Sequence, residues 1–132
     1  MTVVEQDRCR VVLPAAAAAA SVARQQLTGY LHTCDVVQPA VDDAALVVSE
    51  LVTNAVRHAA REGDATVQVE WSLIPPRLRL QVRDAARTDR RPLHDHDPVG
   101  GRGLTIVAAL SETWSLENTD RGTTVTACIR VA

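Results

Sequence analysis

The chain has 132 residues, a length suited to one domain, and an apolar fraction of 46% is enough to build a single core. Formal net charge is -2 at pH 7, all 14 basic residues are Arg, and two Trp and one Tyr accompany them with no Phe. A basic block with interleaved aromatics is missing, which argues against nucleic-acid binding, and the lack of Lys excludes a Walker-type phosphate loop.

Residues 8–13 read as a short strand. Pro14 then stands near a helix start, where its missing N–H costs little, and the alanines after it are strong helix formers that continue through Leu27 and Leu31. Arg8, Arg10 and this apolar stretch loosely imitate a secretory signal, but Glu5 and Asp7 spoil a positive leader and the run is too short to span a membrane. A cytoplasmic protein is therefore expected. Pro39 precedes a helix of roughly 40–60, whose apolar face carries Val41, Ala44, Ala45, Val48, Leu51, Val52, Ala55, Val56 and Ala59. Asp43, Glu50, Asn54, Arg57 and Arg61 fall on a narrow opposite stripe, and Glu62-Gly63-Asp64 marks the helix end.

Thr66–Trp71 alternates, Pro75-Pro76 turns and Leu78–Arg83 alternates again, which is the pattern of an antiparallel hairpin. Residues 85–101 hold two prolines, many charges and no periodicity, so they read as a long functional or mobile loop. Leu104, Ile106, Val107 and Leu110 mark a short helix, and strands near 113–118 and 123–131 close the chain around Asp120-Arg121-Gly122. With no repeat or linker in view, residues 1–132 are read as one domain. Helices with single apolar faces between strands predict a two-layer α/β (α+β) sandwich, with a mixed, mainly antiparallel sheet and the helices on one face.

Cys9, Cys34 and Cys128 are odd in number and widely spaced, which argues for buried, reduced thiols over a disulfide framework or zinc site. His94 and His96, interleaved with Asp95 and Asp97, sit in the Pro-flanked loop and read as a solvated surface more than as metal ligands.

Three features carry chemistry. Glu50 and Asn54 stand four residues apart, so about 40° separates them on one helical face. A carboxylate there can take a proton, and an amide oxygen can bind a hard cation. His58, about 80° from Glu50, reads as a residue that caps or packs near the helix end. Asp84 ends a strand, and Gly100-Gly101-Arg102-Gly103 opens a helix, where backbone N–H groups and the helix dipole can hold phosphate. Taken singly, each also fits an ordinary solvated stripe, a turn residue or a flexible turn.

In order and spacing these segments resemble the Bergerat-fold (GHKL) superfamily of GyrB-type ATPases, Hsp90-type chaperones and histidine kinases, and within it the bacterial anti-sigma-factor serine/threonine kinases. Val48–His58 is similar to their N box, Val82-Arg83-Asp84 to the strand entering the first glycine box, Gly101–Val107 to the second box, and Gly122-Thr123-Thr124-Val125 to the closing motif. The resemblance covers nearly the whole chain. It implies ATP and Mg²⁺ as cofactors, with Glu50 as general base, Asn54 as Mg²⁺ ligand and Asp84 as acceptor for the adenine amino group. By the same resemblance Gly101, Arg102, Gly103 and Leu104 border the phosphates, and Thr123 and Thr124 lie near the adenine. The implied partners are a sigma factor, an anti-sigma antagonist that is phosphorylated, and a second copy in a homodimer, with no nucleic acid and no membrane. Asp84-Ala85-Ala86-Arg87-Thr88 stands where the family carries Asp-x-Gly-x-Gly, so Ala86 and Thr88 replace both glycines. A kinase and a non-catalytic partner-binding module with a degenerate ATP site both remain open on the sequence.

Overall fold

The computed structural model describes residues 8–62, 66–84, 102–119 and 122–132. In chain order the elements are β1 (Arg8–Pro14), α1 (Ala19–Thr33), α2 (Gln38–Glu62), β2 (Thr66–Ile74), β3 (Arg77–Asp84), α3 (Arg102–Leu110), β4 (Thr113–Thr119) and β5 (Gly122–Arg130). The five strands form one sheet in the order β1-β2-β3-β5-β4. All four ladders are antiparallel, so the parallel pairing that a mixed sheet would include does not occur among the described strands.

Alternation along the strands sorts the side chains into two faces. Val67, Val69, Trp71 and Leu73 of β2, with Leu78, Leu80, Val82 and Asp84 of β3, are buried. The intervening Gln68, Glu70 and Ser72, and Arg79, Gln81 and Arg83, are half-buried or exposed. Register preserves the sorting, because Trp71 faces Leu80, Val69 faces Val82 and Val67 faces Asp84. The helices cover the apolar face alone. α2 packs across β3, β2 and β5, α1 lies against α2, and α3 joins α2 to β4.

Several boundaries differ from the sequence reading for local physical reasons. Pro14 is the last residue of β1, paired with Thr66, rather than a helix opener. β1 is an edge strand, where a missing N–H is harmless. The chain then turns, with Ala16 N–H donating to the Pro14 carbonyl at 2.8 Å and Ala19 N–H to the Ala16 carbonyl at 3.0 Å, and α1 begins only at Ala19. Its buried stripe is Ala19, Ala23, Leu27 and Leu31, spaced one turn apart. α1 ends on a left-handed residue, Asp35, at φ 60°; the Val36 N–H reaches the Leu31 carbonyl and the Asp35 N–H the His32 carbonyl, both at 3.1 Å. That pair of bonds closes the helix in the manner usually given to glycine. Pro39 lies inside the first turn of α2. Trp71, buried on β2, meets Tyr30 of α1 with ring centroids 6.2 Å apart, which ties the outer helix to the sheet.

The cysteines depart from expectation. None is in a disulfide, but Cys34 is exposed at the end of α1 and Cys9 and Cys128 are only half-buried, so the reading of all three as buried thiols is corrected. Cys34 occupies the capping position of α1, outside the helix's buried stripe. No helix among the described residues is long and apolar enough to cross a membrane.

Candidate functional site

A cleft opens between α2 and the sheet, lined by Leu51, Asn54, Ala55, His58, Val82, Asp84, Leu104, Leu116, Thr123 and Val125. Its composition follows from helix and strand periodicity. Measured from Glu50, Asn54 lies at about 40°, His58 at about 80°, Leu51 at about 100° and Ala55 at about 140°, so one arc of α2 faces the cleft. Val82 and Asp84 come from the inward face of β3, while Thr123 and Val125 come from the inward face of the neighbouring β5.

Asp84 is the polar centre of this cleft. It is 1% exposed, and both carboxylate oxygens are engaged. Oδ1 accepts the Thr123 backbone N–H at 3.0 Å, and Oδ2 lies 2.7 Å from His58 Nδ1. An ionised carboxylate only accepts, so the proton of this short bond belongs on Nδ1. The network continues outward, because the Thr123 hydroxyl donates to Asn118 Oδ1 at 3.2 Å. α2, β3, β5 and β4 are thus joined through polar groups inside an otherwise apolar wall.

Asn54 marks another part of the cleft. Its Nδ2 is buried and has no hydrogen-bond partner among the described residues. A buried amide left unmet in a native site calls for a ligand or water. A half-turn of the amide exchanges nitrogen for oxygen, so the same position presents either a donor to a phosphate oxygen or a hard oxygen ligand to a cation. The site therefore fits a magnesium nucleotide, which needs few protein ligands because magnesium keeps several waters. Among the described residues there is no cluster of three or more His, Cys, Asp or Glu suited to a metal.

The structure brings Asn54, Asp84, Leu104 and Thr123 together around one cavity. Glu50 is half-buried on the same helix and about 40° outside the arc that lines it. Thr124 lies between two cleft-facing residues, so strand alternation turns it to the opposite side of the sheet, where it is paired with Arg83. Arg102 and Gly103 open α3, which places their backbone at its N-terminal end. Gly101, Ala86, Thr88, His94 and His96 lie outside the described residues. His58, read from sequence as a cap or packing residue, is instead a buried partner of Asp84. The signal was its angle: about 80° from Glu50 places it inside the arc of buried residues that runs from Val47 at about 60° to Val52 at about 200°.

The match to known proteins is broad. A family model described as the histidine kinase-like ATPase domain matches residues 13–129. The serine-protein kinase RsbW of Listeria monocytogenes serotype 4a (strain HCC23) is 32% identical over 120 residues, covering 80% of this chain and 76% of that one. The protein of the same name from Staphylococcus epidermidis is 25% identical over 122 residues, covering 81% and 77%. Among solved structures, the RsbU and RsbW domains of Rv1364c from Mycobacterium tuberculosis superpose with a TM-score of 0.73 at 23% identity, covering 94% of this chain and 32% of that longer one. A chain of the SiaB–SiaC complex from Pseudomonas aeruginosa gives a TM-score of 0.73 at 14% identity, covering 96% and 92%. The family model spans most of the chain, and the chain belongs to the histidine kinase-like ATPase family, in the branch that holds the RsbW serine-protein kinases.

Proposed function

We propose that the protein is an ATP-dependent serine/threonine kinase of the anti-sigma type, which phosphorylates an anti-sigma antagonist and sequesters a sigma factor. The observation that carries this reading is the pair of unlike polar anchors in one cleft: a buried carboxylate, Asp84, at the end of β3, and an unmet amide, Asn54, on α2. Asp84 accepts the adenine amino group, and the apolar walls from Leu51, Val82, Leu116 and Val125 suit a purine ring. Asn54 would hold Mg²⁺, which would supply charge neutralisation at the phosphates. The backbone at the start of α3, at Arg102 and Gly103 beside Leu104, would border those phosphates with its N–H groups.

Glu50 takes the proton of the partner's serine or threonine hydroxyl as its oxygen attacks the γ-phosphorus, and ADP departs with the bridging oxygen. Its placement one turn before Asn54 and beside the cleft, rather than within the wall, suits a base that serves a hydroxyl arriving from a second protein. A homodimer as the working form follows from the resemblance to the related kinases.

One observation favours a second reading. Ala86 and Thr88 stand where this family carries glycines, and side chains there restrict backbone that otherwise closes on a nucleotide. On that reading the protein is a non-catalytic module that binds its partners with a degenerate ATP site. Transfer of label from [γ-³²P]ATP to a candidate antagonist separates the two. Labelled antagonist supports the kinase; complex formation without labelling leaves the binding module.

A further inference from the structure

His58 has no role in the transfer chemistry set out above, yet it is among the few buried polar side chains, and it is aimed at the carboxylate on which adenine recognition depends. We propose that His58 is a positioning residue that sets the specificity of the cleft for a 6-aminopurine, acting through Asp84. This rests on the nucleotide reading above and deepens it.

The geometry points this way on three grounds. First, Asp84 is held by donors from two separate elements, the Nδ1–H of His58 on α2 at 2.7 Å and the backbone N–H of Thr123 on β5 at 3.0 Å. One donor leaves a carboxylate free to rotate about its last torsion, whereas two donors on different oxygens fix its plane. Each oxygen of an ionised carboxylate offers two lone-pair directions, so an oxygen that already accepts one bond is able to accept another in a set direction. The ordering of the acceptor is then incurred in folding and not when the ligand arrives. Second, burying a carboxylate and an imidazole side by side is a poor way to gain stability, because apolar residues of the same volume avoid the desolvation cost. Orientation is what the pair adds. Third, His58 stands one turn beyond Asn54 on α2, a rise of about 6 Å. A single helix thus holds the group at the phosphate end and the group that aims the acceptor at the base end.

Discrimination, rather than affinity alone, is the readout. A residue that only supported the fold would weaken every nucleotide alike. Loss of an aimed hydrogen bond removes the advantage of the ligand that carries the 6-amino group and leaves its analogue untouched.

The test compares ATP with purine riboside 5′-triphosphate, which lacks the 6-amino group, by titration calorimetry in Mg²⁺. The wild-type protein is expected to bind ATP at least about tenfold more tightly, the usual worth of a hydrogen bond to a charged acceptor. His58→Gln puts its amide nitrogen near the old Nε2 position and should bring the ratio of the two affinities within about twofold. His58→Asn puts an amide nitrogen where Nδ1 was and should restore most of the ratio. Retention of the full ratio in His58→Gln, an equal weakening of both nucleotides, or a wild-type ratio near one overturns the proposal. Failure of the wild-type protein to bind either nucleotide at millimolar concentration is a distinct result that removes the ATP reading itself. If the variants do not fold, the wild-type protein gives the answer by nitrogen NMR: the His58 ring resonances should shift with ATP and stay in place with the analogue, and equal responses overturn the proposal.

Discussion

Replacing Asp84 by Ala removes the acceptor for two donors at once, the Thr123 N–H at 3.0 Å and the His58 Nδ1–H at 2.7 Å. Each buried donor left unmet costs about 1–3 kcal/mol, so the sum is roughly 2–6 kcal/mol. His58 borders the cleft, and entering water relieves part of its share, which brings the expected loss to about 2–4 kcal/mol. Set against the ~5–15 kcal/mol that holds a typical domain together, such a loss is a large fraction of the total. For a chain of 132 residues it corresponds to a melting temperature lowered by roughly 6–20 °C. Asp84→Asn should behave differently. Its carbonyl oxygen still accepts from Thr123, and its amide donates to Nδ1 once the His58 proton moves to Nε2, so less than about 1.5 kcal/mol is lost. The 6-amino group of adenine then meets an amide donor, and preference for adenine falls while the fold persists. Urea unfolding of the three proteins, followed by Trp fluorescence, measures the stability differences. If Asp84→Ala is within about 0.5 kcal/mol of wild type, the buried network contributes nothing and the reasoning fails.

Asn54→Ala should abolish the Mg²⁺ dependence of ATP binding, because the hard oxygen ligand is lost; calorimetry with and without the cation shows whether dependence survives. Glu50→Gln should leave MgATP and partner affinity nearly unchanged and lower phosphoryl transfer by about 10²–10⁴-fold, the usual range for a lost general base. Transfer at the wild-type rate in that variant would make Glu50 an ordinary carboxylate of a solvated stripe. Gly122 opens β5 at φ 132°, a backbone region that side chains strongly disfavour. Gly122→Ala should therefore cost about 1–3 kcal/mol, and a melting temperature equal to wild type would show that the strand relaxes around the new side chain.

The elements legible in the sequence were those with strong local periodicity. Thr66–Trp71 and Leu78–Arg83 announced the hairpin, and both strands run up to Pro75-Pro76 as alternation requires. The α2 face was nearly complete, except that Val47, fully buried, stood beyond the positions assigned to it. Poly-alanine was misleading because propensity says that Ala15–Ala18 suits a helix, yet the pairing of Pro14 with Thr66 carries the chain past that point in a turn. The insertion of β5 between β3 and β4 had no local signal at all. That long-range pairing sets Thr124 opposite Arg83, which brings the Thr123 N–H to Asp84 and turns Thr124 itself away. Site residues on α2 were therefore readable from helical angles, while those that depend on which strand lies beside β3 were not. His58 lay between the two cases: its angle was available, but only the position of Asp84 gave that angle a meaning.

On the proposed function, the cleft between α2 and the sheet binds a magnesium nucleotide through Asn54 and Asp84. Titration calorimetry of the wild-type protein and Asp84→Asn with ATP and with GTP, in the presence of Mg²⁺, tests it most directly. The wild-type protein should bind ATP and prefer it over GTP, and Asp84→Asn should retain its fold and lose most of that preference. Wild-type protein that takes up neither ATP nor ADP at millimolar concentration, or a preference for ATP that Asp84→Asn leaves intact, would contradict it.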